Sequence, residues 1–409
     1  MPAPKIPTND KVLTWTQFSA TGVGVETETA EYGDNELAAV TLTGGTTGAP
    51  KGVMLSNDGF NAIAFDFKHC GVSYKRGQRF LNIIPMFSSY GIVSSLHMPL
   101  SLGLEVVIIP KFDQDKVGYY VKKYRPEHTL LVPAHYEKLM NSKEMAGGFD
   151  LSFFRTAGSG GDTMNAGLEA KLNSFLESRG CRYPLSQGYG MSEVSSAASC
   201  CCNGNFKSLS VGYPLLTTTI GIFEPGTDNE LDYGEEGEIC ISGPSIMLGY
   251  LNNKAETENV IRRHADGTLW VHSGDIGHMD SDGFVYIKGR IKRMITLFNG
   301  HKIFPTHIES VLGRHPLVSS CAVVGVNDTT HAQGQLTLAV IETSETSLEK
   351  QLAIKNELYE MCRQELEGPA KPYDVIFIDS MPHTGMGKID YLKLAEDYNN
   401  ENKNETEAV

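Results

Sequence analysis

The sequence lacks an excess of basic residues, and this absence limits the partners that it can have. Its 409 residues include 35 lysines and arginines against 49 aspartates and glutamates, for a formal net charge of -14. An acidic chain is repelled by phosphate backbones and by anionic membrane surfaces. We therefore predict a small-molecule substrate and no nucleic-acid partner.

Cysteine and histidine do not occur in the spacings that mark disulfide frameworks or metal sites. Eight cysteines in so long a chain do not form a disulfide framework, and no Cys-x2-Cys pair is matched by a second pair. Cys200, Cys201 and Cys202 are interpreted as small buried or half-buried side chains rather than ligands. None of the twelve histidines has metal-ligand spacing, and no Ser/His/Asp order indicates a hydrolase.

A long uninterrupted apolar run is also missing. Residues 1–10 contain no apolar core of a signal peptide, and the most apolar long stretch, residues 91–110, is interrupted by His97 and Glu105. The sequence predicts a soluble, cytoplasmic protein with no transmembrane segment.

Short β-rich runs alternate with helical patterns through residues 37–187. This alternation predicts an α/β fold in which a mainly parallel sheet is covered by helices. The predicted strands are 37–42, 80–84, 106–109, 129–132 and 155–157, and the predicted helices are 60–67, 93–100, 117–124, 135–140 and 166–176.

The rest of the chain changes in composition. Short glycine-rich strands over 211–288 predict a small antiparallel or barrel-like layer, and later strands and a long helix predict a smaller α+β unit. Residues 394–409 carry five acidic groups and one lysine, which predicts a disordered tail. The predicted organisation is a lead-in over 1–36, an α/β core over 37–210, a β-rich subdomain over 211–289, a C-terminal α+β domain over 290–394 and an acidic tail over 395–409.

Residues 42–52 combine four glycines, threonine hydroxyls and a lysine directly after an apolar run. Glycines let a backbone approach an anion closely, Thr46 and Thr47 offer donors, and Lys51 offers a point charge. The spacing is not that of a Walker loop. By composition alone, a phosphate loop and an ordinary glycine-rich turn are equally compatible with this segment.

Residues 187–193 place an aromatic ring, a hydroxyl and a carboxylate on a glycine-flanked turn. The ring of Tyr189 can stack on a base, and Glu193 can hold Mg2+, which prefers oxygen ligands. On this pattern alone, a turn with a packed tyrosine and a solvated glutamate is the favoured interpretation.

Five segments resemble, in order, the motifs of the adenylate-forming superfamily, which contains acyl-CoA synthetases, firefly-luciferase-like enzymes and peptide-synthetase adenylation domains. They are residues 42–52, 187–193, 237–250, 273–295 and 382–389. The resemblance extends over about residues 37–394. It implies a nucleotide-binding α/β core with a smaller, mobile C-terminal α+β domain, and it reverses the interpretation of 187–193 as an ordinary turn.

The resemblance also implies roles for individual residues. It places Tyr189 against adenine, Ser192 near the α-phosphate and Glu193 on magnesium. The implied catalytic residues are Lys388, Glu193, Thr46 and Lys51. The implied ATP-, ribose- and CoA-binding residues are Thr43, Gly44, Gly45, Thr47, Gly48, Gly160, Gly188, Tyr189, Gly190, Ser192, Asp275, Arg290, Lys292 and Gly300.

Simpler interpretations exist for several of these positions. Asp275 and Arg290 are of types usually found at the surface, and a lone lysine such as Lys388 is usually solvated. The hinge role of Lys292 rests on the resemblance alone. Gly300 is implied to line a pantetheine tunnel, but the pair Asn299-Gly300 also favours a hairpin turn.

The chain departs from the family pattern before the loop at 42–52, where members carry a substantial folded segment. Only about forty residues precede it here. We expect a missing N-terminal segment or a partner chain to complete the fold. Unpaired sheet edges would otherwise expose apolar residues and lower the stability and activity of this chain.

The acyl pocket departs from the family pattern at Ser88. Plant hydroxycinnamate and fatty acyl-CoA ligases have histidine there, after Pro-Met-Phe, so chain length cannot be carried over. The apolar neighbours Phe87, Tyr90, Ile92 and Val93 favour an aliphatic or aryl carboxylic acid over an amino acid.

The predicted function is a carboxylate:CoA ligase that uses ATP, Mg2+ and CoA. Two alternatives remain open. The acyl group could pass to the phosphopantetheine of a carrier protein, or the chain could be a truncated, catalytically weak nucleotide-binding remnant or subunit.

Overall fold

The structure of the protein, a computed structural model, describes residues 13–26, 31–43, 51–202, 204–328, 331, 333–366, 368–383 and 389–407. It contains two compact units, Met1–Asp34 and Asn35–Val409. In the first unit, helix α1 (Trp15–Thr21) is capped by Thr14, whose hydroxyl accepts a hydrogen bond from the Gln17 amide at 3.2 Å. No residue of this helix is buried.

The second unit begins with an antiparallel hairpin. Strand β1 (Leu37–Leu42) pairs with β2 (Gly52–Ser56). The first strand was predicted within the parallel alternation, and that assignment is wrong because residues 43–51 are too few to cross over to a parallel neighbour. Three apolar side chains of β1 remain exposed, namely Leu37, Val40 and Leu42.

The main sheet has seven strands. Its elements, in chain order, are α2 (Asn57–His69), β3 (Arg79–Asn82), α3 (Met98–Ser101), β4 (Glu105–Ile108), α4 (Val117–Tyr124), β5 (His128–Leu131), α5 (Pro133–Met140), β6 (Thr156–Ser159), α6 (Ala166–Ser178), β7 (Ser186–Tyr189), β8 (Ser199–Cys200) and β9 (Tyr213–Pro214). The order is β4-β3-β5-β6-β7-β8-β9, parallel as far as β7 and antiparallel beyond it. The predicted helix-covered, mainly parallel sheet is confirmed.

Parallel pairing aligns the carboxyl ends of the central strands. Leu131 lies opposite Ser159, and Ser159 lies opposite Gln187. The turns after β6 and β7 therefore meet at one edge of the sheet, where ligands of open α/β sheets bind. Beneath this edge, α4, α5 and α6 bury an apolar core that includes Leu131, Leu139 and Leu172.

An antiparallel layer follows. Its elements are β10 (Thr219–Phe223), β11 (Gly237–Ser242), β12 (Gly249–Tyr250), α7 (Lys254–Val260), β13 (Ile261–Arg263), β14 (Leu269–Met279) and β15 (Val285–Arg290). The strand order is β10-β11-β14-β13, with β15 added on β14. Strand β12 leaves this layer and pairs with β2, so that Tyr250 lies opposite Val53.

The last elements form the smaller α+β unit that the sequence predicts. They are β16 (Ile295–Thr296), β17 (Lys302–Ile303), α8 (Pro305–Leu312), β18 (Ser320–Asn327), β19 (Gln335–Glu342), α9 (Leu348–Glu365), β20 (Asp374–Ile378) and α10 (Tyr391–Glu407). Strands β18-β19-β20 form one sheet, and α8 and α9 share an apolar core with it. In the part of the chain that the structure describes, no helix has both the length and the apolar character needed to cross a bilayer.

The C-terminal tail was predicted to be disordered, and the structure corrects this because helix α10 continues to Glu407. Tyr391, Leu394 and Tyr398 are spaced one helical turn apart and pack in the cluster that lines β18 and β19. The side chain of Asn399 also accepts a hydrogen bond from the Asn327 amide at 2.7 Å. The acidic composition concealed this apolar stripe.

Candidate active site

Three of the predicted glycines, Gly160, Gly188 and Gly190, lie where the backbones of β6, β7 and β8 approach each other closely. An ideal Cβ at Gly160 would lie 3.1 Å from the carbonyl oxygen of Gly188. One at Gly190 would lie only 1.9 Å from the carbonyl oxygen of Ser196. A side chain at Gly190 is thus excluded by the neighbouring backbone, and glycine allows these strands to approach each other.

Glu193 lies in a short 3-10 turn directly after β7, and its side chain is buried. The Tyr250 hydroxyl donates a hydrogen bond to its carboxylate at 2.6 Å. Burial and the Glu193 carboxylate raise the pKa of Tyr250, so its hydroxyl remains a donor. Its neighbour Ser192 shares a hydrogen bond with the Ser89 hydroxyl at 3.1 Å.

The charge of Glu193 is not balanced by a direct ion pair with any residue that the structure describes. A buried carboxylate without such a partner is costly unless a cation reaches it. Its oxygens are hard ligands of the kind that Mg2+ prefers. The residues present therefore fit a magnesium ion at this position.

Asp275 carries a second buried carboxylate, which accepts hydrogen bonds from two side chains. Strands β14 and β15 place Asp275 opposite Arg290, whose Nε donates to Oδ1 at 3.0 Å. The Tyr189 hydroxyl donates to Oδ2 at 2.7 Å. Burial raises the pKa of Asp275, while Arg290 and Tyr189 oppose this rise. The alternative interpretation of Asp275 as a surface residue is therefore wrong, since its side chain is buried.

Lys51 lies at the described end of the loop that the sequence singled out. Its backbone carbonyl accepts a hydrogen bond from the Thr43 amide at 3.0 Å, and its amide donates to the Thr43 hydroxyl at 3.2 Å. Its ammonium pairs with Glu256 of α7 and lies 4.8 Å from the centre of the Tyr250 ring. The Lys51 ammonium lowers the pKa of Glu256.

Tyr250 and Glu256 are functional candidates that the sequence reasoning missed. Tyr250 joins Lys51 to Glu193, because its ring faces the lysine and its hydroxyl binds the glutamate. It ends a segment that resembles a family motif, so a signal was present. Glu256 had no signal, since an acidic residue on an exposed helix usually has only a solvating role.

Several predicted site residues are not brought together by the described structure. Lys292 is exposed in a 3-10 turn after β15, and Gly300 is exposed at the tip of the β16–β17 hairpin with a φ of +80°. A positive φ requires glycine there, as the hairpin interpretation expects. Gly44, Gly45, Thr46, Thr47, Gly48 and Lys388 lie outside the described residues.

A cavity of about 190 Å³ lies between the antiparallel layer and the C-terminal unit. It is lined by Glu236, Lys288, Lys302, Ile303, Phe304, His307 and Ala370. Two lysines and a half-buried aromatic ring at its wall suit a ligand that carries both anionic and apolar parts. A larger cavity, of about 530 Å³ around Glu137 and Lys138, contains none of the predicted site residues.

Comparison with known families matches most of the chain. The AMP-binding enzyme family matches residues 4–251, and the AMP-binding enzyme C-terminal domain matches residues 307–388. The first segment of the sequence resemblance, 42–52, lies within 4–251. The last segment, 382–389, lies within 307–388 except for its final residue.

Individual relatives agree with the family match. A probable 4-coumarate–CoA ligase 1 of Dictyostelium discoideum is 33% identical over 319 residues, which cover 78% of this chain and 56% of that protein. A long-chain-fatty-acid–CoA ligase of Bacillus subtilis is 30% identical over 370 residues, covering 89% and 62%. ATP-bound MatB from Rhodopseudomonas palustris is 25% identical with a TM-score of 0.80, covering 94% of this chain and 73% of that one. The chain thus spans about three fifths of the length of these two curated relatives.

Proposed function

The chain belongs to the AMP-binding enzyme family, and from this premise we propose that it is an AMP-forming acid:CoA ligase. In the first step a carboxylate attacks the α-phosphate of ATP, giving an acyl-adenylate and pyrophosphate. In the second step the thiol of CoA attacks the acyl carbon, AMP leaves, and a thioester forms. The relatives named as 4-coumarate–CoA and fatty-acid–CoA ligases support this reaction class.

One observation carries the proposal. Residues from segments far apart in the sequence meet at the edge of the main sheet. Tyr250 contacts both Glu193 and Lys51, and Asp275 contacts both Tyr189 and Arg290. Glu193, which has no direct ion pair among the described residues, offers a place for a metal ion. Asp275, which is paired with Arg290, offers lone pairs to neutral hydroxyl groups.

Each group has a distinct role in this mechanism. Glu193 holds Mg2+, and the Tyr250 hydroxyl fixes the orientation of its carboxylate. Asp275 accepts the ribose hydroxyls, and Arg290 holds its carboxyl group in place. Tyr189 lies against adenine. When bound, Mg2+ neutralises phosphate charge that grows as pyrophosphate departs.

The phosphate loop and the mobile lysine complete the site by family resemblance. Thr43, Gly44, Gly45, Thr46, Thr47 and Gly48 are proposed to cradle phosphate, with Gly160, Gly188, Gly190 and Ser192 along the nucleotide. Lys51 leaves Glu256 for the phosphates when ATP binds. Lys388 supplies positive charge during adenylation and leaves for the thioester step, by rotation of its domain about Lys292.

The acid substrate is proposed to be a fatty or aryl acid that enters beside residues 85–93. Ser88 does not extend towards a pocket here, because its hydroxyl donates to the Pro85 carbonyl at 2.8 Å and accepts from the Gly91 amide at 3.1 Å. These bonds hold the Ser88 side chain against the backbone just before the π-helix Tyr90–His97, whose N-cap is Ser89. Serine is smaller than the histidine of the ligases that this segment resembles, which supports a pocket wall formed by apolar side chains such as the half-buried Ile92.

The acceptor is proposed to be CoA. The 190 Å³ cavity beside β17 supports this choice, since Lys302 suits a phosphate group and Phe304 suits an apolar arm. Lys288, which pairs with Glu236 at 3.3 Å, would have to leave that pair to bind a second phosphate.

We also propose a cytoplasmic location. All eight cysteines are free thiols, which supports a reducing compartment such as the cytoplasm.

The test measures the two half-reactions separately on the purified chain. We expect acid-dependent exchange of labelled pyrophosphate into ATP with fatty or aryl acids, and thioester formation with free CoA. Lys388→Ala should lose the first activity by ~10²-fold or more and retain thioester formation from a presynthesised acyl-adenylate.

Other outcomes identify the alternatives. Exchange followed by transfer only to a holo carrier protein would replace CoA as the acceptor. Nucleotide binding by a folded protein without exchange across a broad acid panel would overturn the ligase assignment in favour of a binding remnant.

A further inference from the structure

Three cysteines from distant parts of the sequence meet at the end of α2. Cys70 caps the C-terminus of this helix, Cys200 ends β8, and Cys202 follows two residues later. Their sulfur atoms all lie within 4.8 Å of one another, and the Cys200 and Cys202 sulfurs are 3.5 Å apart. All three are free and half-buried.

We propose that Cys70, Cys200 and Cys202 form a three-thiolate binding site for a thiophilic cation, for which Zn2+ is the probe. Nothing in the proposed ligase reaction uses these residues. The sequence interpretation of Cys200 and Cys202 as simple packing residues considered only their adjacent spacing, which cannot reveal the third sulfur 130 residues away.

The geometry suits such an ion. A Zn–S bond of about 2.3 Å in a tetrahedral site places sulfur atoms about 3.8 Å apart. The Cys200–Cys202 sulfur separation of 3.5 Å is close to this value and no pair of sulfurs is more than 4.8 Å apart, so small side-chain rotations are sufficient to form the site. Three sulfur ligands select soft metals over Mg2+ or Ca2+. The partial exposure of all three cysteines leaves an entry path for the ion.

Binding of the ion displaces the thiol protons. Zn2+ and three thiols give a singly anionic zinc–trithiolate group with three Zn–S bonds, and three protons pass to solvent. Zinc affinity at this site should therefore fall as the pH is lowered.

The surroundings leave the fourth position to water. The Tyr74 side chain contacts Cys70, and its ring lies 4.8 Å from that of His128. Both ring nitrogens of His128 already have hydrogen-bond partners, the Thr156 hydroxyl at 3.3 Å and the side-chain amide oxygen of Gln78 at 3.0 Å. The imidazole is therefore not free to ligate.

A second group of ligand types, Glu238, Cys240 and His272, differs in a way that makes it a control. It is fully buried, and its members bind one another, with His272 Nδ1 at 3.0 Å from Glu238 and 3.5 Å from the Cys240 sulfur. The second ring nitrogen of His272 faces His264 at 3.0 Å. A metal ion would have to break these bonds and would have no path to solvent.

An ion at the three-cysteine site would restrict the motion of strand β8, which pairs with the strand β7 of the candidate active site. Cys200 lies opposite Gly188, and Ser199 lies opposite Tyr189 in the β7–β8 pair. Zinc would thus fasten the end of α2 to the strand that supports the proposed adenine-binding turn. Because the ion binds the folded state, it should also raise the unfolding temperature.

The experiment uses the reduced, metal-stripped full chain. Zinc affinity is measured by competition with a chromophoric indicator, and Co2+ is added separately to detect thiolate-to-metal charge-transfer absorption. We expect one equivalent of either ion. Cys70→Ser and Cys202→Ser should weaken zinc binding by ~10²-fold or more, beyond the loss expected for an outer-shell change. The matched controls Cys181→Ser and Cys240→Ser should bind like the wild type.

Protection of the wild-type cysteines from alkylation provides an independent measurement if a variant does not fold. Zinc should slow alkylation of Cys70 and Cys202, followed by mass spectrometry, and leave Cys181 unchanged. Absence of the cobalt–thiolate absorption, or unchanged alkylation at saturating zinc, would overturn the proposal. Loss of binding in Cys240→Ser alone would place the ion at the buried group instead.

Discussion

Glu193 and Asp275 are two buried carboxylates that are supported differently. Each accepts one tyrosine hydroxyl, from Tyr250 at 2.6 Å and from Tyr189 at 2.7 Å. Asp275 also has the Arg290 guanidinium at 3.0 Å. Glu193 has no direct ion pair among the described residues, and Lys51, which faces the ring of Tyr250, pairs with Glu256 instead.

This difference separates two chemical tasks. A carboxylate that is ion-paired with a guanidinium, such as Asp275, is held in one orientation. Its remaining lone pairs can accept hydrogen bonds from neutral hydroxyl groups. An uncompensated one gains most when a cation arrives, because the cation removes the cost of its burial. The predictions below test whether this contrast is real.

The largest expected effect is at Glu193. Glu193→Gln keeps the size of the side chain and removes the charge, so kcat should fall by about 10²–10³-fold while ATP still binds. Thermal stability should not fall, because a costly buried charge is removed. Wild-type turnover across a magnesium titration would show that Glu193 is not the metal ligand.

The next effect concerns Arg290. Arg290→Gln removes a charge-assisted hydrogen bond worth about 1.5–3 kcal/mol, so the KM for ATP should rise roughly 10- to 100-fold with a smaller change in kcat. Adding Asp275→Asn should recover stability, since no lone charge is then left, but not ATP binding. Additive losses of stability in the double variant would contradict the pairing.

A smaller effect should distinguish the two tyrosines. Tyr250→Phe removes the only described hydroxyl donor to Glu193, so the magnesium concentration at half-maximal activity should rise several-fold. Tyr189→Phe leaves Asp275 with Arg290 and should not change the magnesium response. Each variant should lose about 0.5–1.5 kcal/mol of stability. Equal magnesium responses would remove the contrast between the two carboxylates.

The smallest effect concerns the ion pair of Lys51 with Glu256. Because Lys51 lowers the pKa of Glu256, the pair stabilises the fold above the ordinary glutamate pKa, and this contribution is lost as pH falls through the lowered value. The pair is about one third exposed, so it should contribute less than about 0.5 kcal/mol.

The measurement compares unfolding temperatures of the wild type and Glu256→Gln between neutral and acidic pH. The difference should vanish at acidic pH. Glu258→Gln, which affects only an exposed pair with Lys254, is the control and should show a smaller difference at neutral pH. A Glu256→Gln difference that grows on acidification would contradict the sign of the pKa shift.

Local elements were the most predictable part of the fold. Helix α4 was predicted with its observed bounds, Val117–Tyr124, because its apolar residues repeat with the helical period. Strand β1 was also predicted with its observed bounds, yet its partner was not, since an apolar run does not state which strand it joins. The helical tail was missed because its few apolar positions are diluted by charge.

The sequence by itself determined the motifs, the family to which they point and the sheet-and-helix alternation, because these depend on residue types over short distances along the chain. Only the tertiary structure joined Tyr250 to Glu193 across 57 residues, Lys51 to Glu256 across 205, and Cys70 to Cys200 and Cys202. Such contacts are decided by which strands pair and how the chain returns. Residue types report what a side chain can bind, and packing decides which partner lies within reach.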